Sequence, residues 1–128
     1  MFRKLLLLGF IAVIFISCEP KKMKSITPIE LQETMKEESL LVIDLRDRQS
    51  YEKDHIIGAQ NVEFTDAFQD TMKDFDKDKT IVVYAEKEDE AMKAASVLFK
   101  ADFKLVYFVM DSYSSWESNL NSTNTYEK

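Results

Sequence analysis

The chain has 128 residues, with 17 lysines and arginines, 23 aspartates and glutamates, one histidine and one cysteine, and a formal net charge of −6. That length allows one ordinary domain, and 45% apolar with 31% charged residues describes a globular chain rather than a disordered one. One cysteine excludes intrachain disulfides and multi-cysteine metal sites, two glycines leave no room for a Gly-rich phosphate loop, and the acidic balance argues against nucleic acid as the main partner.

In chain order, Arg3 and Lys4 precede residues 5–17, which are apolar or small throughout, and Glu19 follows Cys18. A basic start and an apolar run of this length read as an export signal, too short for a span that needs about 20 residues. Phe15-Ile16-Ser17-Cys18 resembles a bacterial lipobox. That resemblance implies removal of residues 1–17 and acylation of Cys18, so that the protein meets membrane lipid through this residue, and buried acyl chains at about 0.8 kcal/mol per CH₂ would hold it there. Residues 18–25 then read as the lipidated cysteine and a polar tether whose seven residues after Cys18 could reach about 25 Å. The implied location is the bacterial cell envelope, with Glu19, rather than aspartate, after the cysteine favouring the outer membrane slightly over the inner.

Residues 26–120 carry the pattern of a folded domain. Thr27-Pro28-Ile29-Glu30 predicts a helix start, with Thr27 as N-cap, Pro28 in the first turn and Glu30 returning a hydrogen bond. Leu40-Leu41-Val42-Ile43, Ile81-Val82-Val83-Tyr84 and Leu105-Val106-Tyr107-Phe108-Val109 are continuous apolar runs, the pattern of strands buried on both faces. Between the last two, Ala91, Ala94, Ala95 and Leu98 fall on one face of a helix expected over 88–100. Strands alternating with helices imply an α/β fold, a parallel sheet with helices on both faces, and ligands in such sheets bind beyond the carboxyl ends of the strands. Residues 121–128 are polar and unpatterned, a tail expected to be disordered.

Several segments carry a family resemblance. Leu41-Val42-Ile43-Asp44-Leu45-Arg46, Tyr51-Glu52 and His55-Ile56-Ile57-Gly58-Ala59-Gln60-Asn61 resemble the first half of a rhodanese-like domain. Asp78-Lys79-Thr80-Ile81-Val82-Val83-Tyr84 is similar to the strand before that family's active-site loop, and Phe103-Lys104-Leu105-Val106-Tyr107 with Trp116 completes the order. The resemblance implies a parallel sheet covered on both sides and, in active members, a cysteine opening a six- or seven-residue loop that accepts a sulfane sulfur as a persulfide. Backbone N–H groups and a helix N-terminus would lower the pKa of that thiol.

Here the loop reads Ala85-Glu86-Lys87-Glu88-Asp89-Glu90. Alanine stands where the resemblance puts the nucleophile, and a methyl group cannot attack sulfur. Four acids and one lysine also oppose an anionic substrate. The acids read either as a solvated helix start favoured by the helix dipole or as a surface for a basic protein partner, with residues 111–113 beside it. Ser112, Ser114 and Ser115 stand where relatives often have Gly-Gly, with no base in view. Asp44 and Arg46 read as a strand-end hydrogen-bond network with Glu52 as a further partner, and His55 as a structural turn residue. No cofactor and no metal is implied, and the oligomeric state is not legible. The expected function is a membrane-anchored, catalytically inactive rhodanese-like module that binds or scaffolds. The alternative is a sulfurtransferase-related enzyme using a partner's cysteine, or a reaction at His55, Asp44 and Arg46.

Overall fold

The computed structural model describes residues 19–111, 113–114 and 126–127; the expected export signal over 1–17, Cys18, Ser112, Ser115 and Trp116 lie outside the described residues. The elements run β1 (Lys22–Ile26), α1 (Pro28–Glu37), β2 (Leu41–Asp44), α2 (Arg48–Lys53), β3 (His55–Ile56), β4 (Gln60–Asn61), α3 (Phe68–Met72), β5 (Thr80–Tyr84), α4 (Glu88–Lys100), β6 (Leu105–Val109) and β7 (Tyr126–Glu127).

Five strands form one parallel sheet in the order β1-β6-β5-β2-β4. The three apolar runs are its centre, and alternate side chains serve opposite faces. Ile43, Ile81, Val83 and Val106 pack with Phe68, Met72, Ala91, Ala94, Ala95 and Leu98 of α3 and α4. Val42, Val82, Tyr84 and Val109 face Leu31 of α1 and Tyr113 on the other side. Both faces are thus covered, as the runs require. The buried alanines of α4 let the helix lie close to the sheet, and each fully buried Leu, Ile or Phe contributes about 1.5–3 kcal/mol. The start of α1 follows its sequence signature: Glu30 N–H donates to Thr27 Oγ1 at 3.2 Å, and Thr27 N–H donates to the Glu30 carboxylate at 2.8 Å.

Two boundaries are corrected. The polar tether expected through residue 25 is structured from Lys22, where β1 pairs in parallel with β6 and Lys22 N–H donates to the Lys104 carbonyl at 2.8 Å. Four of its five residues are exposed and only Ile26 is buried, so this edge strand carries no apolar alternation to betray it. Lys21 is held too, its Nζ donating to Asp102 Oδ1 at 2.9 Å and to the Phe99 carbonyl at 3.2 Å. Within the tail expected to be disordered, Tyr126–Glu127 pair antiparallel with His55–Ile56. Backbone pairing of two residues leaves no signature in side-chain pattern.

Candidate functional site at the carboxyl ends of the strands

β2 ends on Asp44, whose side chain is fully buried. Its Oδ1 accepts from the backbone N–H of Arg46 at 2.9 Å, the local turn by which an aspartate bends the chain after itself. That turn brings the Arg46 guanidinium back onto the same carboxylate, with Nε at 3.1 Å from Oδ1 and Nη2 at 2.8 Å from Oδ2. Tyr84, the last residue of β5, donates its hydroxyl to Asp44 Oδ2 at 2.6 Å and accepts from Ile56 N–H at 3.2 Å. Arg46 Nη2 also donates to the Asp54 carbonyl at 2.6 Å, and the guanidinium lies 3.6 Å from the centre of the Tyr113 ring, which stacks on Tyr84. Asn61 ties the same corner together by donating to the carbonyls of Asp44 and Arg46.

A buried ion pair is costly to desolvate, and this one persists because nearly every polar direction around it is met by a charge-assisted hydrogen bond. Burial alone would weaken the hold of Arg46 on its proton; the hydrogen bonds and charge of Asp44, with Tyr84 and Tyr113 adding to them, more than reverse this and raise its pKa. Burial pushes the Tyr84 phenol up from its ordinary value, and the charge and hydrogen bond of Asp44 push it further. Tyr84 therefore stays a neutral donor.

Glu52 does not join this network, contrary to expectation. It accepts from Arg48 Nε at 2.8 Å, one turn away on the exposed face of α2, and Asp54 takes its place near Arg46, with its carboxylate 3.6 Å from Nη1. His55 stacks on the Tyr51 ring at 3.8 Å, and its Nδ1 lies 2.7 Å from the Tyr51 carbonyl, an arrangement in which Nδ1–H donates. Tyr51 in turn donates to the Ala59 carbonyl at 2.7 Å, across a turn where Gly58 holds φ of 77°. Both contacts brace the turn. Sequence reasoning did not single out Tyr84, Asp54 or Tyr113 for the network. For Tyr84 there was a usable signal: a tyrosine closing a buried apolar strand needs a partner for its hydroxyl.

The end of β5 is built differently. Ala85 is buried, its methyl packed in the same core as Ala91 and Ala94. Only Ala85, Glu86 and Lys87 separate β5 from α4, so the expected six-residue loop is half loop and half helix, with Glu88, Asp89 and Glu90 as the first turn. Glu88 accepts from the N–H of Asp111 at 3.1 Å, joining α4 to the second residue beyond β6, which holds φ of 68°, and Asp89 lies 3.5 Å from Lys93. Glu86 and Glu90 make no hydrogen bond or ion pair among the described residues and face solvent.

Between the two ends lies a cleft of about 190 Å³ lined by Arg46, Ser50, Lys53, Asp54, Glu86, Tyr113 and Ser114. Two further hollows, about 320 and 220 Å³, lie nearer the ends where strands begin. They are larger but hold none of the network residues. Among the described residues no group of three His, Cys, Asp or Glu is disposed to hold a metal, and no helix is long and apolar enough to cross a membrane. Chemically the site offers charge and hydrogen bonding: Ala85, Glu86 and Lys87, which leave β5, include no cysteine, serine or threonine, and the polar groups of Asp44 and Arg46 are engaged with each other.

A family model for the rhodanese-like domain matches residues 27–119. The thiosulfate sulfurtransferase GlpE of Coxiella burnetii is 28% identical over 96 residues, which cover 75% of this chain and 89% of the relative. Among solved structures, a rhodanese-related protein from Thermoplasma volcanium aligns with a TM-score of 0.68 at 20% identity over 76% of this chain and 93% of its own. The Rhodanese_3 like domain of the Anabaena Alr3790 protein aligns at 0.61 and 23%, covering 70% and 100%. At such identities the structural likeness is one of fold, and it agrees with the sheet order and two-sided helix cover described above. The chain belongs to the rhodanese-like domain family.

Proposed function

We propose that this protein is a rhodanese-like domain without sulfurtransferase chemistry, anchored in the bacterial cell envelope through an acylated Cys18, and that it works by binding a partner at the carboxyl ends of its strands. The observation that carries the reading is Ala85. It leaves β5 at the position where the family resemblance puts the thiol, its methyl group is buried in the core, and the chain's one cysteine is at position 18. A methyl group has no electron pair to offer a sulfane sulfur, and Glu86, Glu88, Asp89 and Glu90 crowd negative charge where an anionic donor would dock.

Binding is supported by the exposed acids beside an otherwise ordered cleft. Glu86 and Glu90, free of internal pairs among the described residues, suit a partner that presents lysine or arginine. Anchoring is supported by the basic start, the apolar run and Ile16-Ser17-Cys18. Catalysis through Asp44, Arg46 and His55 is disfavoured by their engagement: two are locked in a buried pair and the third braces a turn. The test is thiosulfate:cyanide sulfurtransfer by the Cys18→Ser chain. No thiocyanate above a boiled control is expected; turnover well above it overturns the reading.

A further inference from the structure

Acylation would fix one point of the chain to a membrane, and the fold determines which end of the domain follows that point. β1 begins at Lys22, so only residues 19–21 separate Cys18 from the sheet. Four Cα steps reach at most about 14 Å. The free length is shorter still, because Lys21 is clasped to Asp102 and the Phe99 carbonyl at the end of α4, its Nζ 4.9 Å from the centre of the Phe99 ring. Pro20 stiffens what is left. Since every strand of the main sheet is parallel, all of them begin at this end.

We propose that the end of the sheet where the strands begin is a lipid-facing surface, seated on the membrane that holds Cys18, and that the cleft at the opposite end points away from it. This orientation rests on the acylation reading above. The short connection carries it, and the acidity of the opposite end agrees. Five-residue strands set the two ends about 15 Å apart, more than a Debye length of about 8 Å at physiological salt. Lys22, Lys77 and Lys104 are adjacent at the near end, joined through Lys22 N–H to the Lys104 carbonyl and Lys104 N–H to the Lys77 carbonyl, with Lys79 beside them. Asp78 and Asp102, together with Asp74, Asp76 and Glu38 at the same end, bring that charge close to balance. The far end carries Glu86, Glu88, Asp89, Glu90 and Asp111 with Lys87, beside the Lys53 and Asp54 that line the cleft. An anionic headgroup layer tolerates the near-balanced first set and repels the acidic second. The partner of the acidic end therefore approaches from the aqueous side and is not lipid.

Lys79→Cys and Glu86→Cys, both at exposed positions, test this in the full acylated chain. The native thiol is blocked by acylation, so a bimane fluorophore attaches at the new cysteine alone. The protein is reconstituted in vesicles of phosphatidylethanolamine and phosphatidylglycerol that contain head-group nitroxide lipid. Quenching several-fold stronger at 79 than at 86 is expected. Equal or reversed quenching in a chain whose mass shows the acyl groups overturns the orientation and leaves the anchor standing; a chain without acyl mass overturns both. A Gly-Ser insertion of about ten residues after Pro20, which adds roughly 30 Å of reach, should abolish most of the difference. An undiminished difference overturns the short connection as its cause.

Discussion

The ends of β2 and β5 lie side by side, yet they are held by opposite means. At β2, Asp44, Arg46, Tyr84 and Tyr113 form a buried, densely bonded corner. At β5, Ala85 packs as one more core methyl, and two of the acids beyond it touch no internal partner among the described residues. The first corner bears on the fold, because opening it strands charge in the interior. The second can change side chains with little cost to the sheet, so it is the place where chemistry can be lost, or a new surface gained, without unfolding the domain.

The hardest blow to that contrast is Asp44→Ala. It leaves the Arg46 guanidinium buried without its counter-charge, and urea unfolding should register a loss of about 3–5 kcal/mol, a large part of the roughly 5–15 kcal/mol that holds a domain together. A loss below about 1 kcal/mol would mean the corner is dispensable. Tyr84→Phe removes one hydrogen bond to a charged acceptor and should cost about 1.5–3 kcal/mol. It also has a pH signature. The native phenol holds its proton above its ordinary pKa, so the unfolded chain loses a proton that the folded chain keeps once pH rises past about 10. Stability is therefore fully present below that point and declines above it. Unfolding midpoints between pH 8 and 11 should fall less steeply for Tyr84→Phe than for the parent.

Ala85→Cys probes the other corner and should cost less, within about 1.5 kcal/mol, since one atom is added to a tight core. It should yield no thiosulfate turnover and a thiol that alkylates slowly, because the side chain is buried beside acids; rapid alkylation with turnover would make the alanine the single missing part. Glu86→Gln with Glu90→Gln is expected to have the smallest effect on folding, leaving the thermal midpoint unchanged while weakening binding of a lysine-rich peptide in low-salt titration calorimetry.

The same contrast explains what could be read from the sequence. The central strands, α4 and the capping box of α1 follow from buried side-chain patterns and local bonds, so their residues announce them. β1 does not announce itself, because its place comes from backbone pairing with β6 while Lys22, Met23, Lys24 and Ser25 stay exposed. Partner choice was equally hidden. Glu52 looked available to Arg46, but helix geometry gives it to Arg48, and only the folded turn brings Asp54 into reach. Ala85 and the acids after it were legible through the family resemblance, and the start of α4 at Glu88 through the helix expected over 88–100.

The pairing of β1 has a consequence for the order of assembly. Lys22–Ile26 find their partners in Leu105–Val109, and in the main sheet they pair with no other strand. The first strand to be synthesised is thus without a neighbour until nearly the last has been made, and the contact that closes this edge spans most of the chain. Contacts of such sequence separation form late, after the ordering entropy of the intervening segments has been met. Through that interval Lys22–Ile26 stay without a strand partner in the main sheet, and the edge closes only once β6 is made.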